Sequence, residues 1–507
     1  MSRLLRWLPA LATLGYLATV AILGSQIVHD VGWDTDASGV FALAERLRGS
    51  GPVYVSHQGG WTPLLWMLAT RGLPAHADLW KATGYLFAVI GALLLGWATR
   101  RVAGRWAGVT AGAIALVIAG PFTLRALVSV TAHVTNPFGA VLLGVGLVFL
   151  TYRGHWPLLV GVGLVAGANA ASDPLLWFAG VVPFAFAGAL LARATRRVDV
   201  AVRAGVTLAI TAIAAVITSL VMRALDFHVV GLDAGLAPLR DLPSNILHLG
   251  RMIALFGGAN YAIPGPYPQE PLRAILALLV FVAVVAPVVA AVVLTIRRTE
   301  PTTWAYACYW GAASSLLCLV FVITPNAADL GPKSSNYLLT LAPAAGAGLA
   351  LLASRSRARQ LAVGVAVATI AALNIGSIAD GRAEGTGLAA IETYAQPLRQ
   401  LLEQQGVTRG YAGYWDAQNL TWQTDMHLLV APVGNCGDQL CPYNVFTIRS
   451  WYEPRGGPTF LLVDPTVNAI QAPPFAAGAA VVRRFGPMTL YLFDYDIARN
   501  IRLLATS

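Results

Sequence analysis

The chain has 507 residues, of which 57% are hydrophobic and only 11% charged, and its mean hydropathy is +0.64. Soluble globular proteins carry about 25% charged residues, so a single soluble domain is excluded and a polytopic α-helical membrane protein is expected. The net charge of +10 does not argue for nucleic acid, because the basic residues sit in short loops between apolar runs, as inner loops of membrane proteins do.

Arg3 and Arg6 precede a first apolar run, Trp7 to Val28. The run is long enough to span and too long for the core of a cleavable signal, and its basic flank puts the N-terminus in the cytoplasm. It leads into His29-Asp-Val-Gly-Trp-Asp34-Thr-Asp36. The acids Asp30, Asp34 and Asp36 therefore stand at the mouth of a span, where a carboxylate is costly unless it meets water, a partner or a substrate. Val40, Leu43, Ala44 and Leu47 then repeat at helical spacing, which places the acids at the positive end of a short helix. Capping of that helix by Asp34 or Asp36 is the plainer reading. The rest of this first outer loop, residues 29–78, contains His57 and a short apolar piece, Trp61 to Leu68, suited to an interfacial helix.

Ten further spans are predicted, near residues 79–98, 107–119, 138–150, 157–170, 175–191, 204–222, 272–294, 304–323, 337–353 and 361–378. Each predicted inner loop is basic, as at Arg100–Arg105, Arg153, Arg193–Arg203, Arg297–Arg298 and Arg355–Arg359. Residues 1–378 thus read as a transmembrane domain of about eleven helices in the inner or plasma membrane, with its tail outside. The tail, residues 379–507, reads as a small extracytoplasmic α/β domain. An amphipathic helix over Leu388–Leu402 is stopped by Gly406, and short strands follow near 411–415, 445–448, 459–463 and 489–493. Outside the cytoplasm Cys436 and Cys441 are expected to form a disulfide, whereas Cys308 and Cys318 lie in an apolar run and read as core.

The polar residues that can carry chemistry collect at predicted outer ends of spans: Asp34, Asp36 and His57, then Arg125 and His133, Asp173, His248 and Arg251, and Lys333, Asn336 and Tyr337. An acid in one loop opposed by cations in others suits one task well. The carboxylate takes a proton from an incoming hydroxyl while cations stabilise a departing phosphate. Each residue also has a plain reading: Arg125 snorkelling to headgroups, Asp173 before Pro174 as a turn residue, the histidines as interfacial hydrogen-bonders.

The first outer loop, with Asp36, Ala44, Leu47, Gly51, Tyr54 and Pro63-Leu64, resembles that of the GT-C superfamily of membrane glycosyltransferases, particularly the protein O-mannosyltransferases and lipid A aminoarabinose transferases. A later segment, Asn336-Tyr337-Leu338-Leu339 followed by Pro343, resembles their Arg-Tyr-Leu-Leu stretch, with Asn in place of Arg and Lys333 nearby. The resemblance implies a GT-C-like fold and an inverting hexosyl- or pentosyltransferase of the cell envelope. It implies a polyprenyl-phosphate-linked sugar donor among membrane lipids, and a glycan, lipid or protein acceptor. Asp36 would be the base with Asp34 its neighbour; Lys333, Arg125, Asn336 and Tyr337 would hold the donor phosphate; His57, His133, Asp173, His248 and Arg251 would contact substrate. The resemblance fixes no cofactor; a divalent ion (Mg or Mn), used by some relatives and not by others, would fall to Asp34 and Asp36. The rival readings are a transporter or flippase of lipid-linked sugars, against which stand the lack of a clear repeat and the one-sided polar residues, and a non-catalytic envelope assembly protein.

Overall fold

The computed structural model describes residues 7–18, 35–47, 51–56, 61–74, 76–120, 133, 135–152, 154–230, 235–258, 271–325, 331–379, 389–465 and 470–502. The chain divides into two compact units. One comprises residues 1–25, 81–221 and 232–383; the other joins residues 26–80, 222–231 and 384–507.

The first unit is helical. Among the described residues seven helices are long and apolar enough to cross a membrane, and four more apolar helices, Trp7–Ala18, Arg105–Val117, Thr135–Phe149 and Trp156–Ser172, are shorter. The expectation of about eleven spans is met by length for seven. In a lipid environment apolar side chains face outward, and helix Val198–Ala224 does this: Val202, Val206, Ile213, Ile217 and Leu220 are all exposed at near-helical spacing. Between helices, small residues allow close approach. Helix Leu341–Ala353 is the clearest case. A Cβ on its Gly346 would lie 2.4 Å from the Ala111 carbonyl oxygen, and one on Gly348 would lie 2.4 Å from Pro287 N.

The loops with basic residues are tied together at one end of this unit. Arg197 donates to the Thr151 carbonyl at 3.2 Å and pairs with Asp199 at 2.7 Å, and Arg203 donates to the Leu150 and Tyr152 carbonyls. At the other end of helices Thr135–Phe149 and Trp156–Ser172, Asn169 donates to the Thr135 carbonyl at 2.8 Å. The chain leaves the second of these helices at Asp173, whose extended backbone and following Pro174 end the turn.

The second unit is α/β. Three strands, β1 (Val53–Ser56), β2 (Phe227–Val230) and β6 (Thr447–Ile448), form a sheet in the order β2-β1-β6, with β1 parallel to β2 in register Val53 to Phe227. The larger sheet contains β3 (Arg409–Ala412), β4 (Leu429–Cys436), β5 (Gln439–Pro442), β7 (Thr459–Val463), β8 (Val481–Phe485) and β9 (Met488–Phe493), in the order β5-β4-β3-β7-β9-β8. Strands β3, β4 and β7 are parallel and the others antiparallel. Helix Ala389–Gln404 covers the sheet and ends before Gly406, whose φ of 67° is open to glycine.

The expected strand over 411–415 is cut short. It ends at Ala412, and Tyr414–Gln423 is a helix whose apolar side, with Ala417 and Leu420, packs into the sheet core. That helix lies against helix Thr35–Arg46 of the predicted first outer loop. Ser38 Oγ donates to Asn419 Oδ1 at 2.6 Å, and Phe41 meets Trp422 with ring centroids 4.8 Å apart. Cys436 and Cys441 form a disulfide that closes the β4–β5 hairpin around Gly437.

Candidate functional site

In the helical unit, two residues from separate predicted loops meet. His133 Nδ1 donates to Asp173 Oδ2 at 2.6 Å, and Asn136 Nδ2 donates to the same oxygen at 2.7 Å. The other carboxyl oxygen accepts the Leu175 backbone N–H at 3.0 Å. His133, Asn136 and Asp173 are exposed by only 2%, 1% and 0%, so each bond is formed away from water, where a hydrogen bond is stronger and a missing one costly. Three donors on one carboxyl group fix the ring: the proton sits on Nδ1 and Nε2 is turned away from Asp173. Among the described residues Nε2 has no hydrogen-bond partner, and neither does Asn136 Oδ1. Leaving a buried polar atom unmatched costs about 1–3 kcal/mol, and such atoms call for an explanation of their own. His133 also holds φ at 66°, a left-handed conformation uncommon for a non-glycine residue and concentrated at functional sites. Its ring lies against Tyr337, centroids 4.4 Å apart.

Tyr337 and Asn336 are half-buried on a 3₁₀ turn, Gly331–Leu338. Lys333 is on the same turn, but only its backbone is among the described residues. His248 stacks on Phe321 at 5.9 Å, and Arg251 is exposed on the same helix, Leu242–Phe256. Arg125 lies outside the described residues. Asn136 belongs to the His133 cluster and was not singled out from the sequence; its one signal was its place three residues after His133, ahead of an apolar run.

In the α/β unit, helix Thr35–Arg46 begins one residue before Asp36, so Asp36 is in its first turn. Only the backbone of Asp36 is described, and Asp34 and His57 lie outside the described residues. The body of the helix is firmly seated: residues 38–44 are buried, and a Cβ on Gly39 would come within 3.0 Å of Phe446. At its far end Glu45 bonds His76 and Arg46 donates to the Met426 carbonyl. The hydrogen bonds that the His76 ring donates to Glu45 and to the Leu73 carbonyl raise its pKa above its usual value. Among the described residues no three His, Cys, Asp or Glu side chains gather as metal ligands do.

A multi-pass helical body with an α/β unit is a fold that this chain shares with a solved structure. The likeness is to ArnT from Cupriavidus metallidurans bound to undecaprenyl phosphate, at 13% identity over 96% of this chain and 97% of that one, with a TM-score of 0.54. The Archaeoglobus fulgidus oligosaccharyltransferase in complex with Zn and sulfate is also similar, at 13% identity over 90% of this chain and 68% of that one, with a TM-score of 0.48. No protein-family model matches the sequence, and no curated protein matches it.

Proposed function

We propose that this protein is a membrane glycosyltransferase that moves a sugar from a polyprenyl-phosphate carrier to an acceptor hydroxyl at the outer face of the membrane, with inversion. The observation that carries the reading is the likeness over nearly the whole of both chains to a structure that holds undecaprenyl phosphate. The first-loop acid and the buried His133–Asp173 pair support it independently.

In this reading Asp36 is the general base. Asp36 is in the first turn of that helix, and the acceptor hydroxyl would lose its proton to it as the glycosidic bond forms. The departing lipid phosphate gathers negative charge. Lys333, Asn336 and Tyr337 of the 3₁₀ turn would receive it, with Arg125 from the preceding loop. His133 would hold the donor through Nε2, with Asp173 keeping the ring in position from behind. His57, His248 and Arg251 are the remaining candidates for substrate contact. Asp34 with Asp36 would be the pair for a divalent ion, and no step is assigned to one.

The test is a transfer assay with purified protein and a panel of polyprenyl-phosphate sugars. Asp36→Asn keeps size and polarity but cannot take the proton, so turnover should fall roughly 10²–10⁴-fold while donor binding persists. His133→Gln should weaken donor binding instead. Near-normal turnover by Asp36→Asn would falsify the base assignment, and carrier movement across the membrane without transfer would favour the flippase reading.

A further inference from the structure

Helix Thr35–Arg46, which contains Asp36, approaches the tail through two residues that do not favour a helix. Gly39 weakens a helix interior, because glycine loses more freedom on folding than any other residue. The hydroxyl of Ser38 competes for backbone groups. Both residues are buried, and both meet the tail. A Cβ at position 39 would come within 3.0 Å of the Phe446 side chain, so glycine permits the approach. Ser38 Oγ donates to Asn419 Oδ1 at 2.6 Å.

The tail residues on the other side of these contacts are themselves held. Asn419 is 1% exposed, and its Nδ2 donates to the Trp415 carbonyl, one turn back, at 3.0 Å. With the nitrogen committed there, the amide oxygen is the atom that faces Ser38. The preceding residue, Gln418, donates from Nε2 to the Phe446 carbonyl at 2.9 Å. Phe446 holds φ at 50°, a left-handed conformation that is strained for a bulky residue and persists only where the surroundings fix it. Two neighbouring residues of helix Tyr414–Gln423 thus secure the contacts made by Ser38 and Gly39. Phe41, one turn on, meets Trp422 of the same tail helix.

Burial of helix Thr35–Arg46 is already served by apolar residues such as Val40, Leu43 and Ala44. The bond from Ser38 to Asn419 adds direction instead of apolar area. A hydrogen bond has a set length and angle, and breaking this one leaves two buried polar atoms unmatched. The helix therefore resists sliding along its axis or turning about it. The backbone of Asp36 is two residues before Ser38 in the same helix, about 3 Å along the axis.

We propose that Asn419 is a positioning residue for the transfer reaction: through Ser38 it fixes the first turn of helix Thr35–Arg46 and with it the backbone of Asp36. The tail is then part of the catalytic apparatus and not a separate module. This role rests on the reading of Asp36 as the base; the anchoring of the helix does not. A displacement of about 1 Å can cost on the order of 10²-fold in rate, so the loss should fall on kcat. Capture of the carrier is assigned to other residues and should persist.

The test uses the full-length protein in nanodiscs, the panel of polyprenyl-phosphate sugars as donors, and the variants Ser38→Ala, Asn419→Leu and their combination. Each single variant should lower kcat about tenfold or more with KM for the donor unchanged. The double variant should be no slower than the slower single one, because both remove the same bond. Cys436→Ser, which loosens the tail away from this contact, should keep the parent's kcat. Amide exchange in residues 35–46, followed by mass spectrometry, should rise about tenfold in the Ser38 and Asn419 variants, as loss of one hydrogen bond implies, and stay unchanged in Cys436→Ser. Ser38→Ala removes a single hydroxyl and keeps the test open if Asn419→Leu does not fold. Losses that multiply in the double variant, an equal loss in Cys436→Ser, or exchange unchanged in both single variants overturn the proposal. Normal kcat in both single variants beside a slow Asp36→Asn overturns the positioning role and leaves the base. A parent that transfers from no carrier, with exchange rising as expected in the variants, removes the transfer reading and keeps the anchor.

Discussion

At the scale of single residues, the α/β unit contains a group with an unusual acidity. Asp416 follows β3 in the first turn of helix Tyr414–Gln423, and Asp464 directly follows β7, the strand beside it. Asp416 is 1% exposed, and neither of its carboxyl oxygens has a hydrogen-bond partner among the described residues. Burial, with the like charge of Asp464 added, pushes its pKa up to about 7. An acid whose pKa is higher in the folded state binds its proton more tightly there, so stability is greatest when it is protonated. Stability then declines as pH rises from the ordinary carboxylate range, near 4, towards 7. His76 acts in the same direction, since its raised pKa gives stability that is lost as pH rises past the folded value. The unfolding temperature of the α/β unit should therefore fall between pH 5 and pH 8. Asp416→Asn should flatten most of that decline and raise the midpoint at pH 8 by several degrees, leaving a smaller slope from His76. Thermal unfolding followed by tryptophan fluorescence across this range measures it. An unchanged slope in Asp416→Asn would mean that the carboxyl group is satisfied in the fold by other means.

At the scale of elements, the β4–β5 hairpin is held by two devices. Gly437 in its turn adopts φ of 66°, and the disulfide joins residues five apart in sequence. A link closing so short a loop stabilises by about 2 kcal/mol in the chain-entropy picture. Cys436→Ser should thus lower the stability of the α/β unit by about that amount and raise amide exchange in residues 429–442, with little change in the helical unit. Exchange measured by mass spectrometry tests this, and spread of the effect to helix Leu341–Ala353 would contradict it. That helix is secured differently: the close approach of Gly346 to Ala111 and of Gly348 to Pro287 depends on small residues rather than on covalent linkage.

At the scale of the whole molecule, the question is sidedness. Arg197 and Arg203 bind carbonyls of residues 150–152, so two basic loops lie at one end of the helical unit. The excess of arginine in such loops predicts that this end is cytoplasmic and that the tail is outside. An impermeant maleimide should react in intact cells with Ala477→Cys, an exposed position of the tail, and with Ala194→Cys, exposed beside the basic loop, only after the membrane is opened. The reverse pattern would invert the orientation and remove the reason for an outer-face reaction.

The sequence by itself determined where the apolar helices lie, seven of which, among the described residues, are long enough to cross a membrane. In lipid every backbone group must be satisfied within its own helix, so a span is a local object, written as an uninterrupted apolar run with basic residues at one end. The same locality made helix Ala389–Gln404 and its stop at Gly406 legible, as it did the short helix Trp61–Thr70. Strands are not local. Residues 53–56 pair with 227–230, and Thr447–Ile448 closes the other side of β1, so the joining of the first outer loop to the tail in one compact unit could be seen only in the tertiary structure. Tyr414 and Trp415 read as strand because their aromatic composition favours one, and became helix because Ala417 and Leu420 pack into the sheet core. The site divides in the same way. Asp36, His133, Asp173 and Tyr337 were visible one by one as polar residues at span ends. That His133 bonds Asp173, 40 residues on, turning Nε2 away from it, and that Ser38 bonds Asn419, 381 residues on, follows only from the packing, because side chains meet through space and the sequence orders them along the chain.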